Sequence, residues 1–353
     1  MTDGSGSRTS TGLRAYIGSF TSAGGRGVST ARTVRGDGAL EVVHHTGVAV
    51  PDPSWLAPAD GLLYTVCERE AGAAAVLSLA DPDRPEPLGE PVPVGGAAPT
   101  HLALAPGLLC TANYASGSVS VLPRRADGTL GGPPEVHPHQ GSGPQQDRQE
   151  GPHAHAVVPD PAGRWVLAVD LGTDTVTVYA LDAAAGGLRP HREVPLRPGT
   201  GPRHLAFHPS GRQAYVVNEL APTVTVCRWD AAEGTLEPVG ECAVRPGEAT
   251  GPNFPSEVVV APDGRFAWVA NRGDDTVAVL ALDAEGDTAE LAGTVPCGGH
   301  WPRHLALHPS GQWLYAANER SGDVTWFALD AETGLPTRAG AVEAPAASCV
   351  VFA

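Results

Sequence analysis

The sequence predicts an all-β protein, a seven-bladed β-propeller whose closing blade is shared by the N- and C-terminal segments. Three observations indicate this fold: a repeat of about 46 to 55 residues, strands in which apolar residues alternate, and frequent turn residues. The chain has 353 residues, of which 44 are Gly and 34 are Pro. Because Gly and Pro mark turns and shorten elements, this composition favours many short strands over long helices.

The repeat is clearest in PRHLAFHPSGRQAYVVNELAPTVTVCRWD, from Pro202 to Asp230. It recurs as PRHLALHPSGQWLYAANERSGDVTWFALD, from Pro302 to Asp330, and as PSEVVVAPDGRFAWVANRGDDTVAVLALD, from Pro255 to Asp283. Less similar copies begin at Pro53, His101 and His155. Each copy predicts an apolar strand, a turn, a second strand that ends near Asn, and a strictly alternating third strand. An outer fourth strand is expected in segments such as TLEPVGECAV, so each copy is one propeller blade.

Two fragments complete the ring. AYIGSFT, from Ala15, resembles the second strand of a repeat, and the C-terminal SCVVFA resembles a first strand. Joined, they form a seventh blade whose innermost strand comes from the C-terminus, and this closure removes exposed sheet edges. We therefore expect a single propeller domain over residues 13–353, preceded by a short disordered arm over residues 1–12.

One segment interrupts the repeat. Residues 133–152, PPEVHPHQGSGPQQDRQEGP, are polar and rich in Pro, Gly and Gln, and they lead directly to His153 and His155. The composition predicts an extended loop inserted between the third and fourth blades. The loop is either a lid over the propeller or a solvated insertion, and the sequence does not distinguish the two.

The charge balance limits the possible partners. The formal net charge is −16, and all basic residues are Arg because the chain contains no Lys. Schiff-base chemistry on a lysine is therefore excluded. An acidic chain is a poor partner for nucleic acid or an anionic membrane, although a local cluster of arginines can still bind an anionic substrate.

The cellular context is expected to be the cytoplasm. The chain has no run of the roughly 20 apolar residues that a membrane span needs, and its first residues lack the apolar core of a secretory signal. The six cysteines show no CxxC spacing, so neither a zinc site nor a disulfide framework is predicted. A closed propeller is expected to be a monomer.

Two sets of repeat positions predict a site at one end of the central channel. In a propeller, the residue before each inner strand and the residue after each second strand converge there. The first set contains Ser54, Thr100, His155, Arg203, Ser256 and Arg303; the second contains Glu68, Tyr114, Leu171, Glu219, Arg272 and Glu319. Both sets vary in charge from blade to blade, whereas a structural repeat would keep one residue type. We therefore predict a concave binding pocket that these side chains line.

The other polar positions divide by their place in the repeat. A structural role is favoured for His204, His304, His208 and His308 because they recur in paired copies, and for the Asn or Asp that ends most of the second strands. The role of His101 is undecided, whereas His153 and His155, in GPHAHA, differ from their equivalents and favour function. No metal-ligand motif such as HExxH is present, so no metal and no cofactor are expected.

Several strings together resemble a known family: GPHAHA, GPRHLAFHPSG with VVNE, ANRGDDTV, WPRHLALHPSG and ANYASGSVSVLP. They are similar to the lactonase family of seven-bladed propellers, which includes propeller-type 6-phosphogluconolactonases and fungal carboxy-cis,cis-muconate cyclases. The resemblance covers nearly the whole chain and implies the catalytic residues His155, Arg203, Glu219 and Arg272. The two sets of positions add His153, Arg303, Glu319, His101 and Glu68 as candidates for substrate binding.

The expected function is that of a metal-independent lactonase of the 6-phosphogluconolactonase type, which hydrolyses an anionic lactone in the central funnel. Arg203 and Arg272 would bind the anion or stabilise the oxyanion, and His155 or Glu219 would be the general base. A lactone-forming cyclase or isomerase acting on a carboxylate, and a non-catalytic binding platform, are the alternatives. Replacing Arg203 or Glu219 with Ala is expected to reduce activity and to leave thermal stability almost unchanged.

Overall fold

The computed structural model describes residues 13–34, 36–182, 186–247 and 250–353. The predicted N-terminal arm, residues 1–12, lies outside the described residues. The strands form seven antiparallel sheets, which we number as blades 1 to 7 from the N-terminus. The only helical elements in the described ranges are two short 3-10 turns, Thr21–Ala23 and Gly47–Ala49.

The first half of the chain forms blades 1 to 3 and most of blade 4. Blade 1 begins with β1 (Arg14–Ser19), β2 (Ser29–Thr33) and β3 (Leu40–His45). Blade 2 contains β4 (Leu56–Ala59), β5 (Leu62–Cys67), β6 (Ala73–Ser78) and two short outer strands, β7 (Glu86–Pro87) and β8 (Val92–Pro93). Blade 3 contains β9 (Pro99–Ala105), β10 (Leu108–Asn113), β11 (Ser118–Pro123) and β12 (Glu135–Pro138). Blade 4 contains β13 (Ala154–Pro159), β14 (Trp165–Asp170), β15 (Thr175–Asp182) and β16 (Gly187–Pro195).

The remaining blades follow the same order of strands. Blade 5 contains β17 (Pro202–Phe207), β18 (Gln213–Asn218), β19 (Thr223–Asp230) and β20 (Thr235–Ala243). Blade 6 contains β21 (Phe254–Val260), β22 (Phe266–Arg272), β23 (Thr276–Leu282) and β24 (Ala289–Pro296). Blade 7 contains β25 (Pro302–Leu307), β26 (Trp313–Asn318), β27 (Asp323–Leu329) and β28 (Pro336–Glu343). The last strand, β29 (Ala347–Phe352), returns to blade 1.

The prediction of a split closing blade is confirmed. Strand β29 pairs antiparallel with β1, with Ile17 opposite Val350, so the sheet order of blade 1 is β29, β1, β2, β3. β29 also contacts β4 on one side and β25 on the other, as the inner strands of neighbouring blades do around the ring. The two terminal segments therefore close the ring by main-chain hydrogen bonds.

The core is divided among the blade interfaces. The described residues form seven apolar clusters, each of which fills the space between two neighbouring blades. This arrangement follows from the alternation in the sequence, because successive side chains of a strand lie on opposite faces of the sheet. Both faces of each sheet are covered by a neighbouring blade, so both sets of side chains are apolar.

An aromatic residue in the second strand of several blades fastens the blade to the next one. The hydroxyl groups of Tyr16, Tyr64, Tyr215 and Tyr315 donate hydrogen bonds of 2.7–2.9 Å to main-chain carbonyl oxygens of the following blade. The indole of Trp268 does the same, at 2.8 Å from Gly334 O. A buried hydroxyl or indole N–H needs such a partner, so these bonds fix the relative position of the blades.

The predicted loop over residues 133–152 is shorter than expected. Glu135–Pro138 is a strand, β12, which pairs with β11 as the outer strand of blade 3. Only the rest of the polar segment lies outside the blades, and we call it the 139–152 segment. This segment folds back onto the propeller, because the side chain of its residue Gln149 is completely buried. Within the described ranges, no helix is long and apolar enough to cross a membrane.

Candidate active site

A recurrent irregularity in the inner strands positions the first set of predicted site residues. The pairing register between the first and second strands shifts at the same place in blades 4, 5 and 7. The residues skipped by the register are His155, Arg203 and Arg303. A bulge of this kind changes the direction of a side chain at the end of a strand. The three residues therefore owe their position at the channel to the same backbone device.

The second set is held by a repeated main-chain hydrogen bond. Glu219 N–H donates to Gly201 O at 2.7 Å, and Glu319 N–H donates to Trp301 O at 3.1 Å. Both acceptors have positive φ angles, 57° for Gly201 and 65° for Trp301. This left-handed conformation is easy for Gly and costs a bulky residue roughly 1 kcal/mol or more. The bond joins the end of each second strand to the start of the inner strand.

These two devices place Arg203 and Glu219 at one end of the channel, where Arg272, the last residue of β22, joins them. Glu219 Oε2 lies 2.5 Å from Arg272 Nη2 and 3.0 Å from Arg203 Nε. The residues are almost completely buried, with exposed fractions of 4% for Glu219, 2% for Arg203 and 5% for Arg272. Burial favours the neutral form of Glu219, but Arg272, Arg203 and Arg148 outweigh it and hold the pKa of this carboxyl well below its usual range. Glu219 is therefore ionised at neutral pH.

The two arginines are fixed by main-chain carbonyl oxygens on the channel wall. Arg203 Nη1 donates a hydrogen bond to Ser256 O, and Arg272 Nε donates to Phe254 O at 3.0 Å. Burial, with the neighbouring Arg272 and Arg303, lowers the pKa of Arg203 to about 9, so its guanidinium is still charged at neutral pH. The Nε–H of Arg203 is close to Glu219 but poorly aligned with it, and it has no hydrogen-bond acceptor among the described residues.

His155 is the uncharged member of the site. Its side chain is 5% exposed, and Nδ1 is buried without a hydrogen-bond partner in the described ranges. Its ring contacts the rings of Tyr114 and His204, with centroid distances of 5.6 and 5.2 Å. Burial and the charge of Arg203 lower the pKa of His155 well below 6.5. The imidazole is therefore neutral at pH 7 and can accept a proton.

A second ion-paired group adjoins the first. Arg303 Nη1 donates to Glu319 Oε2 at 3.3 Å, and Arg303 Nη2 lies 3.9 Å from Glu68 Oε1. Glu68 also accepts a hydrogen bond of 2.5 Å from Ser54 Oγ. Burial raises the pKa of Glu68 despite Arg303, so this carboxyl is easier to protonate than Glu219. The structure thus brings together seven of the nine site residues that the sequence predicts.

The other two candidates lie outside this group. His153 stacks on Tyr114, and its ring nitrogens are engaged by Tyr114 O at 2.9 Å and Glu150 Oε1 at 3.1 Å. His101 lies farther along the channel, where its ring is 4.1 Å from that of Trp55. Within the described ranges, neither imidazole shares a hydrogen bond with the site arginines (Arg203, Arg272 and Arg303) or the site glutamates (Glu68, Glu219 and Glu319), and a substrate-binding role for either stays a prediction.

His101 belongs to a separate set of side chains, all buried except the partly buried Trp55, which we call the histidine layer: Trp55, His101, His204, His304 and Glu257. Glu257 Oε2 is 2.9 Å from His204 Nδ1 and 3.4 Å from His304 Nε2. The layer lines a cavity of about 240 Å³ that extends toward the other end of the channel. The sequence favoured structural roles for His204 and His304 and gave no indication of Glu257.

Sequence reasoning also missed Arg148. This residue comes from the 139–152 segment, and its Nη2 donates to Glu219 Oε1 at 2.5 Å and to Tyr114 Oη at 3.4 Å. No equivalent residue exists in the other repeats, so a comparison between blades could not detect it. Across the described residues, no group of three or more His, Cys, Asp or Glu side chains is arranged to hold a metal ion.

Comparisons with known proteins agree with this architecture. The family model described as "Lactonase, 7-bladed beta-propeller" matches residues 14–352. The chain is 32% identical over 192 residues to a 6-phosphogluconolactonase of Bacillus subtilis, a match that spans only 54% of each chain. Among solved structures, a periplasmic gluconolactonase of Pseudomonas aeruginosa is 30% identical, with a TM-score of 0.89 over 96% of this chain and 98% of that one. A protein of Bacteroides fragilis described as a candidate 6-phosphogluconolactonase has a TM-score of 0.90 at 28% identity, with 99% of both chains covered. The chain therefore belongs to the lactonase family of seven-bladed β-propellers.

Proposed function

We propose that this protein hydrolyses an anionic lactone at the cluster formed by His155, Arg203, Glu219 and Arg272. One observation carries the proposal: a buried imidazole, whose Nδ1 has no hydrogen-bond partner among the described residues, belongs to the same cluster as two buried guanidinium groups. His155 Nδ1 can accept a proton, and the guanidinium groups of Arg203 and Arg272 can stabilise an oxyanion. Leaving such a nitrogen unpaired costs about 1–3 kcal/mol, which a bound substrate would recover. A hydrolase needs both a proton acceptor and an oxyanion donor.

The chemistry needs only water and the residues of the chain. A water oxygen adds to the lactone carbonyl carbon while neutral His155 takes its proton. The negative charge that develops on the carbonyl oxygen is stabilised by the guanidinium groups of Arg203 and Arg272. The bond between the carbonyl carbon and the ring oxygen then breaks, and the imidazolium returns the proton to the leaving alkoxide. The product is the open hydroxy acid.

Glu219 is better suited to organise the arginines than to act as the general base. Three guanidinium groups contact its two carboxylate oxygens. A carboxylate whose pKa is so strongly depressed has little tendency to take a proton near neutral pH, and its lone pairs are already used. Of the two bases that the sequence predicts, His155 is therefore the one we propose.

An anionic substrate would improve His155 as a base. In the free protein, the positive charge of Arg203 contributes to the low pKa of this imidazole. A phosphate or carboxylate bound beside the arginines offsets that charge and raises the pKa toward neutrality. Binding of the anion would thus activate the base, which favours catalysis over a passive binding platform.

The proposal is tested by a pH-stat assay with 6-phosphogluconolactone, gluconolactone and a carboxymuconate. We expect lactone opening, and we expect Arg203→Ala to lower kcat/KM by roughly 10² to 10³-fold, as the loss of an oxyanion donor does. Arg228→Ala is the matched control, because Arg228 is exposed on β19 and pairs with Asp287, which lies in the connection before β24. A folded wild-type protein that opens neither lactone would refute the proposal. Turnover of the muconate alone would establish a ring-closing enzyme instead.

Three further parts of the proposal concern the setting of the reaction. We infer that hydrolysis is metal-independent, that the protein works as a monomer, and that it acts in the cytoplasm. All six cysteines are buried free thiols, which is consistent with a reducing compartment. Size-exclusion chromatography with light scattering tests the monomer, and a mass near 36.2 kDa is the expected result.

A further inference from the structure

Arg148 enters the site from a segment with a fixed base. At one end of the 139–152 segment, His139 Nδ1 lies 2.6 Å from Asp170 Oδ2. Next to Arg148, the buried side chain of Gln149 donates from Nε2 to Leu171 O at 2.8 Å, and Gln149 N–H donates to Gln145 O at 2.7 Å. The backbone that carries Arg148 is therefore held against blade 4, whereas the side chain extends toward Glu219.

The guanidinium of Arg148 is bound less completely than those of the other arginines. Both of its hydrogen bonds use Nη2, so Nε and Nη1 meet no acceptor in the described part of the chain. Its side chain is 37% exposed, against 2% for Arg203 and 7% for Arg272. Among the described residues, no main-chain carbonyl binds the guanidinium of Arg148, whereas Arg203 and Arg272 each donate to one. Both two-nitrogen edges of a guanidinium include Nη2, so Arg148 presents a complete edge, the geometry that binds phosphate and carboxylate, once Nη2 leaves Glu219.

The charge balance at this end of the channel leaves room for an anion. Four guanidinium groups, those of Arg148, Arg203, Arg272 and Arg303, meet three carboxyl groups, those of Glu68, Glu219 and Glu319. Burial also raises the pKa of Glu68, which weakens it as a compensating anion. The excess is therefore positive in a chain whose formal net charge is −16. Since Glu219 would keep Arg203 and Arg272, it can release Arg148 without becoming unpaired.

We propose that Arg148 is a specificity-determining residue, which binds the anionic group that the substrate carries away from its lactone carbonyl. On binding, its guanidinium exchanges Glu219 for a two-nitrogen contact with a phosphate or carboxylate of the substrate. The 139–152 segment then covers the bound molecule. This inference rests on the proposed function for the position of the lactone ring, but the contact itself is a binding event that can be measured without turnover.

The test compares Arg148→Gln with wild type on three lactones: 6-phosphogluconolactone, neutral gluconolactone and a glucarolactone, which carries a carboxylate in place of the phosphate. We expect Arg148→Gln to lower kcat/KM on the charged lactones by about 10- to 100-fold, the value of one charge-assisted contact, mainly through KM. Neutral gluconolactone should change by less than about threefold. Arg228→Gln controls for the change in net charge. Comparison of the two charged lactones shows whether Arg148 prefers a phosphate or a carboxylate.

The outcomes separate this inference from the proposed function. An equal loss on charged and neutral lactones would show that Arg148 only supports Glu219, and no loss at all would show that it does not bind the anion; either result overturns the inference. If wild type opens no lactone, the proposed function fails, and calorimetry with the products decides about Arg148. If wild type binds 6-phosphogluconate more tightly than gluconate and Arg148→Gln removes this difference, the inference is upheld. Equal affinities in wild type would refute it.

Discussion

The central channel contains two neighbouring groups of buried polar side chains, and burial affects them in different ways. The first is the arginine cluster, which we define as Arg148, Arg203, Arg272 and Glu219; there Glu219 stays charged because the three arginines compensate for the loss of water. In the histidine layer, burial lowers the pKa of His101 and His204 well below 6.5 and raises that of Glu257. At neutral pH, one group therefore holds charged side chains, and the other holds neutral imidazoles.

The difference shows why only one of the groups is suited to catalysis. Charged groups that are held in position and shielded from water interact strongly with a charge that develops in a transition state. Neutral imidazoles bound to one carboxyl offer hydrogen bonds but no such field. His155 is influenced by both groups, because the charge of Arg203 lowers its pKa and its ring packs on that of His204. The following predictions test this division of roles.

The largest loss of activity is expected when His155 is replaced. His155→Asn should lower kcat by about 10² to 10⁴-fold, because general base assistance is lost while the arginines remain. His101→Asn, in the histidine layer, should change kcat by less than about threefold. Initial rates of lactone opening at saturating substrate measure both. Equal losses in the two variants would mean that the two groups act together in catalysis.

The second prediction concerns the free energy of unfolding and compares variants of two buried glutamates. Glu219→Gln leaves three guanidinium groups without their carboxylate and should lower the free energy of unfolding by roughly 3–5 kcal/mol. Glu257→Gln keeps an acceptor for His204 and should lower it by only about 1 kcal/mol. Urea unfolding at pH 7 compares them. A smaller loss for Glu219→Gln would contradict the charge assignment, and the sequence-based expectation of almost unchanged stability would then hold.

The pH profile should report the low pKa of His155. A general base must be deprotonated, so kcat/KM falls as the pH drops through the pKa of the free protein. Since burial and Arg203 lower that pKa below 6.5, the acid limb should lie below pH 6.5, with a flat profile up to about pH 8. Stopped-flow rates between about pH 4 and pH 8 test this, after correction for spontaneous opening. A midpoint above 6.5 would exclude His155 as described.

The smallest expected effect is that of metal removal. In the described ranges, His204 and His304 each pair with Glu257, and the three side chains are not arranged to hold a metal ion. EDTA dialysis should therefore leave kcat/KM unchanged within about twofold. Activity that disappears with EDTA and returns with one divalent cation would assign a catalytic metal and would give the histidine layer a function.

Much of the fold could be predicted because the evidence is repeated along the chain. The alternation of apolar residues gives the strands, and the equivalence of Arg203, Arg303 and His155 in the repeat identifies one end of the channel. The split blade follows from two terminal fragments that complete each other. The outer strand Glu135–Pro138 was not predicted, because its polar, Pro-flanked sequence resembles a loop.

The sequence by itself determined the number of blades, the closing blade and the two sets of positions that converge at the channel. It did so because a repeat places equivalent residues in equivalent locations. Only the tertiary structure decided that Arg148 joins Glu219, that His153 and His101 lie apart from the arginines, and that Glu219 is ionised at neutral pH. Those facts depend on contacts between elements of different blades and one non-repeating segment. The distances between these side chains and the extent of their burial set their protonation states. Neither quantity can be read from a single stretch of sequence.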